Sequence, residues 1–371
     1  MLLAFPESRT RGRRSVSRAE RIFTVASVLV LVMFAMGWSW SIARARAAGD
    51  SGITPATANI ASALTNGNAP SVAYLTDAAL SALTAPARGE SGKLRVRIQQ
   101  PGTPITPILA DTLPPGAVAT FSSGAAAEST SKFVAPARPG IWNLALKVGS
   151  AMKPLADFSV ITLRPATESK AGRLGLYYIG SWPAARRGQP GVSYNPPSGF
   201  IEVTPQNQNT QLSEHFRLRD FLPHDQQNVW PKYVVIDTKL IDKDELVLDD
   251  LKAHGINPAG VRVMSGFRTP QYNAGGGVTT GRANLSRHMY GDASDIYIDD
   301  DGDGQMDDLN HDGKITIADA QVISAAVDRV DAAHPELVGG AGVYTAAPGH
   351  GPFIHIDTRG YRARWSGTSG G

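Results

Sequence analysis

The chain has 371 residues, 42% hydrophobic and 19% charged, the profile of a folded protein long enough to bury more than one core. Its formal charge of +3 sits in a tail: residues 1–21 hold six arginines and two glutamates, a net +4, so the remainder carries −1 and offers no basic face for nucleic acid. The absence of cysteine excludes disulfides and thiolate metal sites, so any zinc must be held by histidine and carboxylate.

Residues 1–21 read as a basic cytoplasmic tail. Residues 22–43 are apolar and uncharged for 22 residues, long enough to cross a bilayer. The arginines before this run hold the N-terminus in the cytoplasm, and Trp38 and Trp40 suit the outer interface. Ala45-Arg46-Ala47 also fits a small-x-small cleavage site, so the segment is an anchor or a cleaved signal. On either reading residues 49–371 lie outside the cytoplasm.

Residues 44–70, rich in Ala, Gly, Ser, Thr and Asn, read as a linker. Over 71–168, runs such as KLRVRIQ (93–99), IWNLALKVG (141–149) and FSVITLRP (158–165) alternate with Pro/Gly turns. That period predicts a small all-β, sandwich-like domain acting as a spacer or binding module. Residues 169–230 bridge to the C-terminal region. Their aromatics Tyr177, Tyr178, Trp182, Tyr194 and Phe200 suit either a core or a ligand groove.

Residues 231–371 predict an α+β domain, an antiparallel sheet with helices to one side. A short strand in YVVID leads into a helix with apolar Leu240, Leu246, Leu248 and Leu251, closed by His254-Gly255. A strand VRVMSGF (261–267), a Gly-rich loop (274–281), an acidic loop, a helix over about 318–333 and two strand runs follow.

The chemistry concentrates in SRHMYGDASDIYI (286–298) and GPFIHIDTRG (351–360). His288 and Asp295 are seven apart with Gly291 between them, and His355 follows sixty residues later. Two imidazoles and one carboxylate make a three-ligand zinc set that leaves the fourth position for water, which marks a catalytic site and a zinc hydrolase. In the alternating run FIHID, Phe353, His355 and Asp357 share one face and Ile354 and Ile356 the other.

With SGFRTPQYN (265–273), GGAGVY (339–344) and FIHIDTRGYRARW (353–365), these segments resemble, in order, the motifs of the zinc D-Ala-D-Ala carboxypeptidase-like metallopeptidases that cleave peptidoglycan stem peptides. The resemblance covers roughly residues 210–365, with SEHFRLRDFL (213–222) as a lead-in. It implies His288, Asp295 and His355 as zinc ligands, and Arg268 as the arginine that holds a substrate carboxylate or carbonyl oxygen. A guanidinium suits that task, being always charged and able to bind two oxygens at once. His350 occupies a position where some members carry a transition-state-stabilising histidine. The acid that many members place three residues before the last ligand is here Pro352, so Asp357 is the first candidate for the general base and His350 the second. The resemblance also implies a bacterial envelope protein, anchored in the inner membrane with its catalytic domain periplasmic, or secreted if the N-terminal segment is cleaved.

Between Asp295 and His355 lies an insertion, 299–319, with eight aspartates and one lysine. Residues 308–319 match the calcium-loop template: Asp308, Asn310 and Asp312 at positions 1, 3 and 5, Gly313 at 6, Lys314 at 7 where the backbone carbonyl serves, Ile315 at 8 and Asp319 at 12. Residues 299–310 give a weaker copy through Asp299, Asp301, Asp303 and Gly304, with Asn310 last. Calcium is the expected ion, ordering the insertion and with it the strand that bears Asp295.

The expectation is therefore a zinc-dependent, calcium-modulated peptidase of stem peptides or cross-links, either a D,D-carboxypeptidase or an endopeptidase. The competing expectation is a non-catalytic cell-wall binding module that keeps both metals. A calcium-dependent adhesion protein leaves His288, Asp295 and His355 unexplained.

Overall fold

Two hydrophobic periods organise the chain, and the computed structural model shows what each builds. It describes residues 90–105, 117–124, 126–130, 134–148, 151–184, 194–275 and 283–367. The basic tail, the apolar run 22–43, the linker and most of the Gly-rich loop lie outside the described residues. Among the described residues no helix is long and apolar enough to cross a membrane.

The period-2 segments of the N-terminal part form one five-stranded sheet. Its strands are β1 (Val96–Gln99), β2 (Ala117–Ser123), β3 (Ala126–Thr130), β4 (Gly140–Val148) and β5 (Ala151–Thr162), in the order β1-β5-β4-β2-β3. β1 runs parallel to β5 and the other pairings are antiparallel. A sandwich needs a second sheet from the same segment, and the described strands before Leu163 all belong to this one. Alternation reports that a strand has a buried face, not what buries it. Phe121, Trp142, Leu144, Phe158 and Val160 pack with Ile105 and Ala135. Leu94, Val96 and Ile161 join the core of the C-terminal region instead.

Short strands connect the two parts. β6 (Arg164–Pro165), β9 (Gly199–Val203) and β10 (Lys232–Val234) form a three-stranded sheet, and β7 (Arg173–Leu174) pairs with β8 (Tyr177–Tyr178). Tyr177 and Phe200 are buried in a small cluster with Leu174, Ile179 and Tyr233, and Trp182 packs against it, so these aromatics are core.

The C-terminal region is α+β, as expected. Its sheet runs β11-β12-β14-β13-β15, with β11 (Val261–Ser265), β12 (Ala293–Ile298), β13 (Gly340–Tyr344), β14 (Phe353–Asp357) and β15 (Ala363–Gly367). All pairings are antiparallel except β13 with β15, so the sheet is mixed, which corrects the purely antiparallel expectation. The chain turns after β14 and passes β13. β15 therefore runs against β14 and parallel to the strand beside it.

Ile296, Ile298, Ala341, Val343, Ile354 and Ile356 form the packed face of this sheet. Helices α1 (Thr238–Ala253) and α3 (Ile317–Ala333) contribute to the same core, while α2 (Pro270–Ala274) is a single short turn. α1 starts where the Asp237 carboxylate accepts from Lys239 N at 2.9 Å, and α3 starts at a Thr316/Asp319 capping box. α1 buries Leu240, Ile241, Val247, Leu248 and Leu251, and it also buries the whole run Asp242, Lys243, Asp244 and Glu245. Each of those four is met by a different segment. Asp242 accepts from Ser91, Lys243 donates to the Asp357 carbonyl at 3.0 Å, Asp244 accepts from Ser294 at 2.8 Å, and Glu245 binds His215.

Candidate metal centre

The face of the sheet opposite the helices carries the site. Register places a row of residues across it: Ser265 opposite Asp295, Asp295 opposite His355, His355 opposite Gly342, and Gly342 opposite Trp365. Two of the three expected ligands are therefore direct cross-strand neighbours. The third, His288, comes from a single 3-10 turn (Arg287–Tyr290) that leads into β12. That turn closes at Gly291, whose φ is +75°, and a Cβ there would lie 2.4 Å from the Val235 carbonyl oxygen. Both the left-handed backbone and the close approach require glycine.

Three atoms converge. His288 Nε2 lies 3.1 Å from Asp295 Oδ1 and 3.1 Å from His355 Nδ1, and the last two are 2.9 Å apart. All three residues are buried. The other ring nitrogens are committed. His288 Nδ1 donates to the Gly266 carbonyl at 2.7 Å, and His355 Nε2 donates to Asp357 Oδ2 at 3.0 Å. With those tautomers, three lone pairs face one point at near-contact distance. That arrangement is repulsive unless positive charge occupies the point.

The electrostatics of the site make the same demand. Burial opposes protonation of His355, but its hydrogen bonds to Asp295 and Asp357 push its pKa up to about 9. Burial, with help from the Arg268 charge, pushes His288 down to about 4. Against its own burial, the Asp295 carboxyl is held well below the usual carboxylate range by His288 and Arg268. A proton on His355 Nδ1 and a metal ion are two ways to supply the missing charge. The donor set fits zinc: ligand atoms about 2.0–2.1 Å from a tetrahedral ion sit about 3.3 Å apart, close to the spacings here.

Arg268 stands beside the ligands. Its Nε donates to Ser265 Oγ at 2.8 Å and its Nη2 to Asp295 Oδ2 at 2.5 Å, so it orients the carboxylate through the oxygen that the convergence leaves free. It lines a cleft of about 680 Å³ over the three ligands, together with Tyr194, Tyr344, His350, Phe353 and Trp365.

Asp357 does not stand where a general base must. Its Oδ2 takes the far edge of the His355 ring, and its Oδ1 accepts from Gly340 N at 2.8 Å and Arg359 N at 3.1 Å. The Arg359 guanidinium covers both oxygens. The carboxyl is fully buried and sits behind His355, which makes it a positioning group for that ring. Asp357 shares the strand face of His355, but this places the carboxylate against the ring nitrogen that points away from the convergence. His350 stays in the cleft, in a turn closed by an Ala347–His350 bridge, with its Nδ1 donating to Gly351 O at 2.7 Å and its ring edge-on to Phe353.

Sequence reasoning passed over Arg287, Arg359, Tyr344 and Trp365. Arg287 is buried between the Tyr194 and Tyr290 rings and pairs with Asp292 at 3.0 Å through both oxygens. Arg359 lies over the Trp365 ring at 5.1 Å. The signal was present in RHMYGD and DTRGYRARW, where each arginine is spaced to reach a nearby aspartate.

The acidic insertion divides differently from the template. Carboxylate oxygens of Asp299, Asp301 and Asp307 lie within 4.8 Å of one another. Asp303 lies outside that group and accepts from Gln305 N at 2.8 Å. In the better template match, Asp308, Asn310 and Asp312 accept from Gly313 N, Asp312 N and Lys314 N of their own loop. Asp319 is spent on Thr316 N and Asn310 N, capping α3. The convergent carboxylates thus belong to the weaker copy, with Asp307 as the member the template missed. Comparison with family models, curated proteins and solved structures finds no match to this chain.

Proposed function

We propose that this protein is a zinc metallopeptidase acting on the stem peptides or cross-links of peptidoglycan, anchored by residues 22–43 or released from them, with the domain outside the cytoplasm of a bacterium. The observation that carries the reading is the convergence of His288 Nε2, Asp295 Oδ1 and His355 Nδ1 on one point at the floor of an open cleft. Zinc held there supplies a Lewis acid and acidified water at neutral pH.

The chain's own residues do the rest. Asp357 and the Gly266 carbonyl fix which nitrogen each histidine presents. Arg268 neutralises and orients Asp295 and meets a substrate carboxylate or carbonyl oxygen at the cleft wall. His350 is the proton acceptor on this reading. Its Nδ1–H is held by the Gly351 carbonyl, so its lone pair is on Nε2. Calcium occupies the Asp299, Asp301 and Asp307 carboxylates, directly after the strand that bears Asp295.

The test is a digest of defined muropeptides by the zinc-loaded protein, read by mass. Release of a terminal D-Ala identifies a carboxypeptidase and cleavage of dimers an endopeptidase. His350→Ala should lower kcat by about 10²–10⁴-fold. One observation favours a second reading, a binding module: among the described residues lining the cleft, Asp295 is the sole carboxylate. Zinc uptake without any turnover decides for that module.

A further inference from the structure

Tyr344 and Trp365 form a device on the site face that the reading above leaves unused. Tyr344 lies two residues beyond Gly342 on β13 and points to the same side as His355. Its ring stacks on Phe353, with centroids 4.7 Å apart and planes 5° apart. Trp365, on the neighbouring strand, leans across Gly342 until its ring is 5.4 Å from that of His355, and its Nε1 donates to the Tyr344 hydroxyl at 2.9 Å.

Two glycines make this geometry possible. A Cβ on Gly342 would lie 2.2 Å from the Trp365 indole, and one on Gly367 would lie 2.7 Å from the Tyr344 ring. Both rings line the cleft over His288, Asp295 and His355.

The hydrogen bond has a direction. An indole N–H only donates, so it takes a lone pair of the phenol oxygen and leaves the phenol's own hydrogen to find an acceptor. Among the described residues no protein group accepts it. Burial raises the hydroxyl pKa, which keeps that hydrogen in place. The result is an O–H donor, its oxygen held by Trp365, on a side chain that lines the cleft.

Resting on the peptidase reading, we propose that Tyr344 is a catalytic residue that hydrogen-bonds the scissile carbonyl oxygen as negative charge develops on it, and that Trp365 positions it. No proton is transferred and no covalent bond forms to Tyr344. The phenol keeps its hydrogen while water adds to the carbonyl carbon, His350 takes the water's proton, and the C–N bond breaks with that proton passing to the leaving amine. A donor whose oxygen is held in place acts more strongly on the transition state than on the substrate, which is the condition for raising kcat.

The experiment compares wild type, Tyr344→Phe and Trp365→Phe, each loaded with zinc. It measures kcat and KM on a muropeptide, and calorimetric binding of a phosphinate dipeptide that mimics the tetrahedral carbon. Tyr344→Phe keeps the ring stack, so zinc content and melting temperature should match wild type. Its kcat should fall about 10²-fold with KM within a few fold, and its phosphinate affinity should fall in step. Trp365→Phe, which keeps the phenol but frees it, should show a smaller loss of both. Active wild type with Tyr344→Phe equal to it in kcat and phosphinate binding overturns the inference and leaves the peptidase reading standing. Wild type that neither cleaves muropeptide nor binds phosphinate overturns both. Should Tyr344→Phe fail to fold, Trp365→Phe decides: unchanged kcat and phosphinate affinity overturn the inference.

Discussion

His355 and Asp357, two residues apart on β14, are joined by a hydrogen bond of 3.0 Å from Nε2 to Oδ2. Through it the carboxylate sets which nitrogen His355 turns toward His288 and Asp295. A general base and a positioning carboxylate leave different signatures, and Asp357→Ala separates them. Loss of a base spares metal affinity. Loss of the positioning group should weaken zinc binding about 10–100-fold, measured by competition with a chromogenic chelator.

Gly342 leaves the space that the Trp365 ring fills. Gly342→Ala puts a methyl group into the indole, so the ring must leave or the strands must part. The expected cost is about 1–3 kcal/mol in denaturant unfolding. Tryptophan fluorescence should shift as the ring loses its place over β13. A melt and spectrum equal to wild type would refute the packing described here.

Asp244 is fully buried under β12, and burial raises its pKa from 3.8 to about 7. Its folded pKa lies above its unfolded value, so the folded state holds the proton more tightly. The sign follows: this contribution is intact below about pH 4 and is lost as pH rises toward 7, by up to about 4 kcal/mol. Asp244→Asn can keep the Ser294 bond without the ionisation. It should flatten the fall in unfolding free energy over that interval, read from urea titrations at a series of pH values.

Calcium at Asp299, Asp301 and Asp307 should raise the melting temperature of the zinc-loaded protein, and a chelator selective for calcium should reverse the rise. At a hundredfold excess over Kd the stabilisation is about 2.7 kcal/mol. Asp301→Asn should blunt the response, whereas Asp312→Asn, outside the convergent carboxylates, should not.

The candidate metal cluster was legible because strand alternation and the Gly291 turn are local properties that fix which way His288, Asp295 and His355 face. The identity of the ring nitrogen at each histidine was not, because it depends on Gly266 and Asp357, partners chosen by register. Helix α1 misleads in another way. Its DKDE run has the composition of a solvated face, yet all four side chains are buried by partners 30 to 151 residues away. The Tyr344–Trp365 pair depends on β15 lying parallel beside β13, a crossover that no local pattern announces. The single N-terminal sheet was hidden for a related reason, because the cover for Leu94, Val96 and Ile161 comes from the far end of the chain.

The Asp242–Ser91 contact changes what the N-terminal sheet is for. Ser91 meets Asp242 through both its backbone N–H and its hydroxyl, at 2.9 and 2.5 Å, beside a Lys93 that pairs with Asp249 and Glu245 of the same helix. Cutting the chain back to the region that carries the chemistry would strip a buried carboxylate of its donors and bare the aliphatic residues beneath β1. A fragment beginning near residue 170 should therefore be insoluble. The sheet without reactive groups is a wall of the core that backs the candidate metal centre, through Leu94, Val96 and Ile161.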